Sequence, residues 1–380
     1  MGFQFQQGPL WERYRREFPV TERLIYLNHA AVSPLPSRVA KAMKDFADDA
    51  CDFGSLHYDT WLAACEGVRL AGARLIGAHR DEIALVKNTS EGICAIAGGL
   101  DWKPGDRVVA FREEFPANYY PWKRLENRRV QVEWLSATDP LDRIEEACRG
   151  AKLLAISFVQ YLSGLRANVR AIGEICRAQN CFFFVDAIQG LGAFSLNVDE
   201  ANIDALAADG HKWLMGPEGC GLLYVRREWQ DRIEPIEFGW TTPAHFADYA
   251  SRDMTLRGDA GRYECGTLNM IGCFGLQAAL GLVLEADPAQ IGPVVTARAD
   301  EIAAGARAKG YEILGNRNPE TASGIVTIRH PSLDSRLIVS RLWENGISAA
   351  PRQGWIRFSP HFYISPEDIA KVVEALPQAR

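Results

Sequence analysis

Lys212 is the side chain of this sequence best suited to covalent chemistry. It stands in residues 209–213 (DGHKW), after the apolar run 205–208 and before the glycine-rich stretch 216–221. Burial disfavours the charged form of an amine and lowers its pKa, so a lysine at the end of a buried strand is available as a neutral nucleophile. A neutral lysine amine forms a Schiff base with an aldehyde, which indicates an aldehyde cofactor.

A carboxylate and an amide follow an earlier apolar run. Residues 181–185 (CFFFV) lead to Asp186, and Gln189 comes shortly after it. A carboxylate that faces a pyridine nitrogen keeps it protonated, and the ring then accepts electrons from a carbanion at a substrate α-carbon. Gln189 would hydrogen-bond the ring hydroxyl. Taken alone, Asp186 could be a helix N-cap and Gln189 a solvated helix residue. Together with Lys212 they predict pyridoxal 5'-phosphate (PLP), with Lys212 and Asp186 as the catalytic residues.

Residues 88–92 (NTSEG) follow a predicted strand and open an apolar helix. Free N–H groups and the helix dipole make such a helix start a phosphate site, to which Thr89 and Ser90 add hydroxyl donors. The alternative is a capping box without a ligand. His211 would either reach the phosphate or orient Lys212, and its alternative is a purely structural histidine.

The remaining candidates concern the ring and the substrate. Phe115 would stack on the cofactor ring, and its alternative is a core phenylalanine. Arg357 lies in the apolar run 355–358 and would bind a substrate carboxylate through two parallel hydrogen bonds, unless it forms a structural salt bridge. Asn28 and His29 would border the substrate or form a turn. The side-chain pocket has four unranked candidates: Tyr119, Trp240, His245 and Arg352.

Composition narrows the class of protein. The chain has 380 residues, 47% of them hydrophobic and 24% charged, as in ordinary globular proteins. A formal charge of −6 means that the chain has no excess of basic residues for binding nucleic acid.

The nine cysteines include no CxxC pair, so we predict no metal site. The cysteines in apolar runs (Cys94, Cys176, Cys181, Cys220) are interpreted as buried small side chains. Without a secretory leader or a long apolar run, we expect a cytoplasmic protein with no membrane partner.

Short apolar runs alternate with longer amphipathic stretches, which favours an α/β fold with a mostly parallel sheet covered by helices. We predict a large cofactor-binding domain over 18–286 and a small C-terminal α+β domain over 287–380, on which the segment 1–17 packs. The predicted strands are 83–86, 107–111, 153–159, 181–185, 205–208, 221–225, 324–329 and 354–359, and the predicted helices are 169–179, 297–308, 337–344 and 366–376. Ligands of such sheets bind beyond the carboxyl ends of the strands, where Thr89, Phe115, Asp186 and Lys212 fall.

From about Tyr26 to Tyr363 the chain resembles the class V aminotransferase family of fold-type I PLP-dependent enzymes, which includes cysteine desulfurases, selenocysteine lyases, kynureninases and isopenicillin N epimerase. The resemblance rests on residues 26–31 (YLNHAA), 88–92 (NTSEG), 185–189 (VDAIQ), 210–212 (GHK), 264–267 (ECGT) and Arg357.

The resemblance implies that Lys212 carries the cofactor, that Asp186 and Gln189 hold the pyridine ring, and that Arg357 holds the substrate α-carboxylate. It also assigns Thr89, Ser90 and His211 to the cofactor phosphate. Thr267 would reach the phosphate of a neighbouring subunit, which implies a homodimer with shared active sites. Phe115 and the following proline resemble the kynureninase pattern of ring stacking.

One departure narrows the activity. Cysteine desulfurases carry a nucleophilic cysteine on a loop before the strand of the carboxylate-binding arginine, whereas residues 346–354 contain none and Cys273 is the last cysteine of the chain. Persulfide-forming chemistry is therefore not expected. The leading hypothesis is an enzyme of the class V aminotransferase or isopenicillin N epimerase type, with Lys212 as the base for the α-proton. A β-lyase, of the cysteine or selenocysteine lyase or kynureninase type, that needs no catalytic cysteine is the alternative.

Two other classes of protein fit less well. A catalytically silent protein of the same fold would often lack the lysine or the aspartate, and both are present. A nicotinamide dehydrogenase needs a glycine-rich G-x-G-x-x-G turn after its first strand, which residues 88–92 do not supply.

Overall fold

The computed structural model describes residues 8–379, and a seven-stranded sheet lies at its centre. In chain order, strands β1 to β13 of this part of the chain are Ile25–Tyr26, Ile83–Val86, Arg107–Phe111, Gln131–Leu135, Leu153–Ser157, Phe182–Asp186, Ala205–Asp209, Gly221–Val225, Glu312–Ile313, Val326–Arg329, Ile347–Ser348, Ala350–Arg352 and Trp355–Phe358. Helices α1 to α11 are Leu10–Tyr14, Ser37–Phe53, Tyr58–Ile76, Thr89–Gly99, Tyr120–Arg124, Leu141–Cys148, Val169–Ala178, Met270–Ala286, Pro288–Ala308, Ser335–Glu344 and Pro366–Ala375.

The large sheet has the order β2-β8-β7-β6-β5-β3-β4. Only β8 runs against its neighbours within it, so the sheet is mostly parallel and the predicted fold class is confirmed. All six strands predicted for this sheet are present, whereas β4 was not predicted because its half-buried sequence QVEWL lacks a continuous apolar run.

Both faces of the sheet are covered, which explains why its strands other than the edge strand β4 consist mainly of buried apolar residues. Along β3, Val108 and Ala110 belong to one buried apolar cluster, and Val109 and Phe111 belong to the other. Since successive side chains of a strand point to opposite faces, each face contacts its own layer of helices. The polar groups available for chemistry therefore collect at the strand ends.

The strand topology places several predicted site residues at one edge of this sheet. Asp186 ends β6 and pairs in register with Ser157 at the end of β5. Asp209 ends β7 and pairs with Gly221, which in turn pairs with Val86 at the end of β2, just before α4. The carboxyl ends of β2, β5, β6 and β7 thus meet at the edge where ligands of such sheets bind.

The C-terminal part of the chain forms a second sheet, an antiparallel one of order β12-β13-β10-β9. The predicted helix 297–308 is longer than expected and begins at Pro288. A proline is tolerated at a helix start, and the Asp287 side chain caps the Ala289 N–H. Asp287 separates α8 from α9, so a helix ends close to the proposed domain boundary. The boundary itself stays a prediction.

The N-terminal segment contacts this second part of the chain. Arg15 forms an ion pair with Asp368 at 2.5 Å, and the Phe18 and Tyr363 rings stack with centroids 3.6 Å apart. Strand β1, which falls inside the proposed large domain, pairs with β11 of the C-terminal part. Of the segment 1–17 predicted to pack here, residues 1–7 lie outside the described residues.

Three of the cysteines form a buried cluster. The sulfurs of Cys148, Cys176 and Cys181 lie within 4.8 Å of one another, a spacing at which thiols could also hold a metal ion. Cys220 is buried as well, whereas Cys94 is exposed on α4, because its helical position faces away from the sheet. The interpretation of Cys94 as a buried side chain was therefore wrong.

No single helix of residues 8–379 is long and apolar enough to cross a membrane. The pair α8 and α9 passes that test only jointly, by length and composition, with a bend of 83° between them.

Candidate active site

A cavity of about 320 Å³ opens at the carboxyl edge of the large sheet. Eight of the eleven predicted site residues line it, namely Thr89, Ser90, Phe115, Asp186, Gln189, His211, Lys212 and Arg357. Its other lining residues are Ala30, Ala31, Asn88, Ala117, Ser157, Tyr161, Ile188, Asp209 and Arg352.

Lys212 projects into this cavity from the connection between β7 and β8. Burial lowers the pKa of its amine to about 8, and Arg357 acts in the same direction, while Asp186 opposes both. Its Nζ lies 5.7 Å from the centroid of the Phe115 ring. At pH 7 roughly a tenth of Lys212 is therefore uncharged and able to attack a carbonyl carbon or accept a proton, far more than for a lysine with an ordinary pKa.

Phe115 is 47% exposed and presents its ring to the cavity. The alternative of a core phenylalanine was therefore wrong. The ring packs edge-on against Tyr161, with centroids 5.3 Å apart, which fixes its orientation. A ring so held can stack on a planar ligand beside Lys212.

Asp186 is a buried carboxyl group that lacks a cationic partner within the described part of the chain. Its Oδ1 accepts a hydrogen bond of 3.1 Å from the Ile188 N–H, and the residue is only 2% exposed. Burial raises the pKa of its carboxyl to about 7, and the nearby Glu114 adds to the effect. A protonated ring nitrogen supplies the missing positive charge, so this carboxyl fits the pyridine of PLP.

Glu114 was not identified from the sequence. Its carboxylate accepts hydrogen bonds from the Ser157 N–H at 2.7 Å and the Gln160 amide at 2.9 Å, and also from the Ser157 hydroxyl. Burial raises the pKa of this carboxyl as well. It connects β5 to the loop of Phe115 and helps to position that ring. The only sequence signal was its position: Glu114 comes directly before an aromatic residue, and both follow the end of a predicted strand.

Gln189 is held at both ends of its amide. Its Nε2 donates to the Ala30 carbonyl at 2.9 Å, and its Oε1 accepts from the Trp213 indole at 3.0 Å. An amide nitrogen carries two hydrogens, so one N–H remains for a ligand. The predicted contact with a ring hydroxyl would use this N–H.

The start of α4 leaves its hydroxyl groups free for a ligand. Asn88 is the cap, accepting from the Glu91 N–H at 2.9 Å, so neither Thr89 nor Ser90 is needed for capping. The Thr89 hydroxyl accepts from the Asp209 N–H at 3.0 Å, which leaves its own hydrogen to donate. These donors and the open N–H groups of the helix start suit a phosphate.

His211 stands beside this helix start. Its Nδ1 is 3.1 Å from Asp209 Oδ2, although the geometry is not that of a hydrogen bond and the nitrogen has no other partner in the described residues. Because the Asp209 carboxylate lies against Nδ1, Nε2 is the ring nitrogen through which His211 would donate to a bound phosphate.

Arg357 reaches the cavity from β13. One terminal nitrogen donates to the Tyr161 carbonyl at 2.8 Å, while its buried Nε has no partner in residues 8–379. Burial lowers the pKa of this guanidinium to about 10, and the neighbouring Arg352 contributes. The structural salt bridge considered as an alternative is absent from the described chain, and the open guanidinium fits a carboxylate.

His29 lies away from the cavity. Its ring nitrogens engage the Ser359 carbonyl and the Tyr363 hydroxyl, each at 2.8 Å, and the residue is fully buried. A side chain bonded on both sides and closed to solvent is not placed to touch a substrate, so the structure does not bring His29 to the site for which it was predicted. Asn28 pairs with Ser359 and also misses the cavity lining, whereas Ala30 and Ala31 reach it.

Thr267 is the third predicted residue outside this cavity. It lies in a surface groove with Leu62, Trp240 and Tyr249. This position is separate from the Lys212 cavity of the same chain.

The segment before Arg357 is a tight hairpin. Strands β12 and β13 are joined by Gln353 and Gly354, both with positive φ (49° and 82°), as in the shortest hairpin turns. Such a turn has no room for a loop that carries a cysteine. None of the residues lining the cavity in the described chain is a cysteine.

Comparisons with known proteins agree with this arrangement. The family model for Aminotransferase class-V matches residues 25–369. A probable cysteine desulfurase of Methanothermobacter thermautotrophicus is 30% identical over 97% of both chains, and the uncharacterized aminotransferase YcbU of Bacillus subtilis is 28% identical over 96% of this chain and 97% of its own. The apo structure of cysteine desulfurase from Thermococcus onnurineus NA1 superposes with a TM-score of 0.88 at 28% identity, covering 96% of both chains. The chain therefore belongs to the aminotransferase class-V family and is a PLP-dependent enzyme.

Proposed function

We propose that this enzyme removes the α-proton of an α-amino acid and catalyses its transamination or epimerisation. The observation that carries the proposal is the meeting of Lys212, Asp186 and Arg357 in one cavity. Lys212 supplies a base, Asp186 a site for a ring nitrogen, and Arg357 a site for a carboxylate. When bound, PLP supplies a ring that accepts the negative charge developing at the substrate α-carbon.

Residues already at the cavity would hold the cofactor. The start of α4, Thr89, Ser90 and His211 would bind the phosphate, and Phe115 would stack on the ring. Asp186 would keep a proton on the ring nitrogen, and Gln189 would offer its free N–H to the ring hydroxyl. These contacts leave Lys212 and Arg357 to act on the substrate.

Lys212 would perform two tasks in turn. It would anchor the cofactor covalently until the substrate amine takes its place, and the released amine would then take the α-proton. Its pKa of about 8 keeps it partly neutral near physiological pH, the condition for a general base. Arg357 would hold the α-carboxylate in one plane, which fixes the direction of the α-hydrogen.

The test is a panel of L- and D-amino acids added to PLP-loaded enzyme, with the cofactor absorbance and the products followed together. Formation of the 2-oxo acid that keeps the complete side chain, without release of ammonia, indicates transamination, and exchange of the α-hydrogen with racemisation indicates epimerisation. Lys212→Ala should abolish both, while Lys371→Ala on the exposed side of α11 serves as the matched control. If Lys212→Ala retained turnover, the proposed role of the base would be wrong.

Cleavage of the bond between the β-carbon and its substituent is the second candidate, because a relative that is 30% identical is named a probable cysteine desulfurase. The cavity lining argues against the persulfide route, since it holds no cysteine within the described residues. An elimination that needs only Lys212 stays open. Pyruvate and ammonia released from cysteine or a β-substituted alanine would identify it.

We also propose that the enzyme is a homodimer with shared active sites. Support comes from the groove of Thr267, whose flanking side chains are apolar and exposed: Trp240 is 47%, Tyr249 78% and Leu62 46% exposed. Exposed apolar patches of this kind commonly mark protein interfaces. The second copy would then bring Thr267 to the phosphate of its neighbour.

Trp240→Glu should shift the enzyme from dimer to monomer in sedimentation experiments, because a charge replaces an apolar interface side chain. Trp343→Glu, on the exposed surface of α10, is the matched control and should leave the mass unchanged. A wild-type monomer with full turnover would contradict the homodimer.

We further propose a cytoplasmic location, supported by the free thiols of all nine cysteines. Cell fractionation tests this location.

A further inference from the structure

Arg352 is a second guanidinium on the active-site cavity, and it has no assigned task. It ends β12 and is half-buried, and among the described residues its side chain donates a hydrogen bond only to the carbonyl of its neighbour Pro351, at 3.0 Å. No acidic side chain of residues 8–379 lies within ion-pair distance of Arg352 or Arg357, and both line the cavity. A partly buried cation without a counter-charge favours an anion from outside the chain.

The hairpin places the two arginines side by side. In β12 and β13, Arg352 is opposite Trp355, and Ala350 is opposite Arg357. Residues opposite each other in an antiparallel pair share a face, as do alternate residues of one strand, so Arg352 and Arg357 point to the same side. Such diagonal neighbours are about 7–8 Å apart, close enough for two groups of one small molecule.

The charges of the residues that line the cavity indicate which group of a ligand Arg352 would bind. Its acidic residues are Asp186, facing the predicted ring-nitrogen site, and Asp209, beside His211. The α-carboxylate carries a single negative charge and would neutralise Arg357 alone. The positive charge of Arg352 would remain beside Arg357, whose pKa is lowered mainly by burial and further by the repulsion from Arg352.

We propose that Arg352 binds a second anionic group of the substrate, so that the enzyme acts on amino acids whose side chain ends in a carboxylate. This inference rests on the proposed function, in which Arg357 takes the α-carboxylate. The Gln353-Gly354 turn fixes the spacing of the two arginines and thereby the length of side chain that fits.

Isosteric pairs of amino acids test the proposal on the PLP-loaded enzyme. L-aspartate is titrated against L-asparagine, and L-glutamate against L-glutamine, with the change in cofactor absorbance as an equilibrium measure of binding. The acidic member of at least one pair should bind about tenfold or more tightly, as expected for a charge-assisted pair in a partly desolvated site. In Arg352→Gln the ratio should fall to about one. Arg341→Gln, exposed on α10, is the matched control and should retain the preference.

A second measurement needs no variant. Succinate, which has two carboxylates and no amine, should raise the melting temperature of the wild-type enzyme more than butyrate at equal concentration. Equal effects of the two acids would count against the subsite, even if Arg352→Gln failed to fold.

The other outcomes overturn the proposal in distinguishable ways. Equal weakening of acidic and neutral amino acids in Arg352→Gln would assign Arg352 to the α-carboxylate. A loss of PLP affinity would assign it to the cofactor. If wild-type enzyme responded equally to both members of each pair, the second anion site would be refuted while the proposed function stood. No response to any amino acid would end both.

Discussion

The carboxyl of Asp186 should make the cofactor-free protein less stable than a variant without the charge. Asp186→Asn keeps the shape of the side chain and the acceptor for the Ile188 N–H, but it removes the ionisable group. We therefore expect the asparagine variant to unfold at higher denaturant concentration than the wild type when PLP is absent. In the PLP-loaded enzyme we expect the wild type to unfold at the higher denaturant concentration, because an amide cannot hold the ring-nitrogen proton.

The magnitude follows from the pKa of Asp186. Burial raises it from 3.8 to about 7, and Asp186 is only 2% exposed, so solvent screening does not reduce the effect. At about 1.4 kcal/mol for each pKa unit, the ionised carboxyl costs the folded state roughly 4 kcal/mol. Between pH 3.8 and about 7 the folded state binds more protons than the unfolded state, so the contribution of Asp186 to stability falls as the pH rises through this window. Above it the penalty is constant.

The assay is urea unfolding of cofactor-free protein at several pH values between about 5.5 and 8.5. The advantage of Asp186→Asn should grow by about 2 kcal/mol from the lower pH to neutrality and then level off. Asp48→Asn, on the exposed face of α2, serves as the matched control and should show no such pH dependence.

Two results would contradict the predicted cost of the ionised Asp186 carboxyl. One is a variant less stable than the wild type at pH 8 in the absence of PLP. The other is an advantage that does not change between acidic and neutral pH. In the loaded enzyme, near-native turnover of Asp186→Asn would refute the role of this carboxylate at the ring nitrogen, whose loss should cost about 3 kcal/mol in the activation free energy.

Two further predictions concern the substrate and the reaction. Arg357→Lys should raise the KM for amino acids strongly, because a lysine cannot make two parallel hydrogen bonds to the α-carboxylate. The absorbance of the resting PLP enzyme should stay unchanged. Unchanged amino-acid kinetics in the variant, or a wild-type preference for amines without a carboxylate, would contradict this prediction. Turnover with L-cysteine should leave every cysteine of the protein free of persulfide, because the hairpin before Arg357 carries no thiol. Mass spectrometry of alkylated peptides detects a persulfide on each cysteine. A persulfide on any of them would show that the reaction was misassigned.

The sequence predicted the parts of the fold that depend on local pattern. Strands buried on both faces appear as continuous apolar runs, so β6 and β7 were found along with Asp186 and Lys212 near their ends. A parallel sheet brings the ends of such strands to one edge, and this made the cavity predictable before the structure was known. Strand β4, at the edge of the sheet and only half-buried, lacks such a run and was missed.

The parts that depend on distant contacts were not predictable. His29 is bonded to Ser359 and Tyr363, more than 300 positions away in the chain, and no local pattern indicates such partners. Glu114 becomes important only because β5 brings Ser157 to its carboxylate. Arg352 was one of four unranked pocket candidates, and of these four it alone lines the cavity in the described chain, because the hairpin register puts it beside Arg357.

Lys212 should anchor PLP through a covalent bond, and this bond can be trapped chemically. Reduction of the loaded enzyme with borohydride converts the bond between cofactor and amine into a stable one, and peptide mapping then finds the labelled residue. We expect a single pyridoxyl group on Lys212 and no stable label in Lys212→Ala. A label on any other lysine, or none on enzyme saturated with PLP, would contradict it.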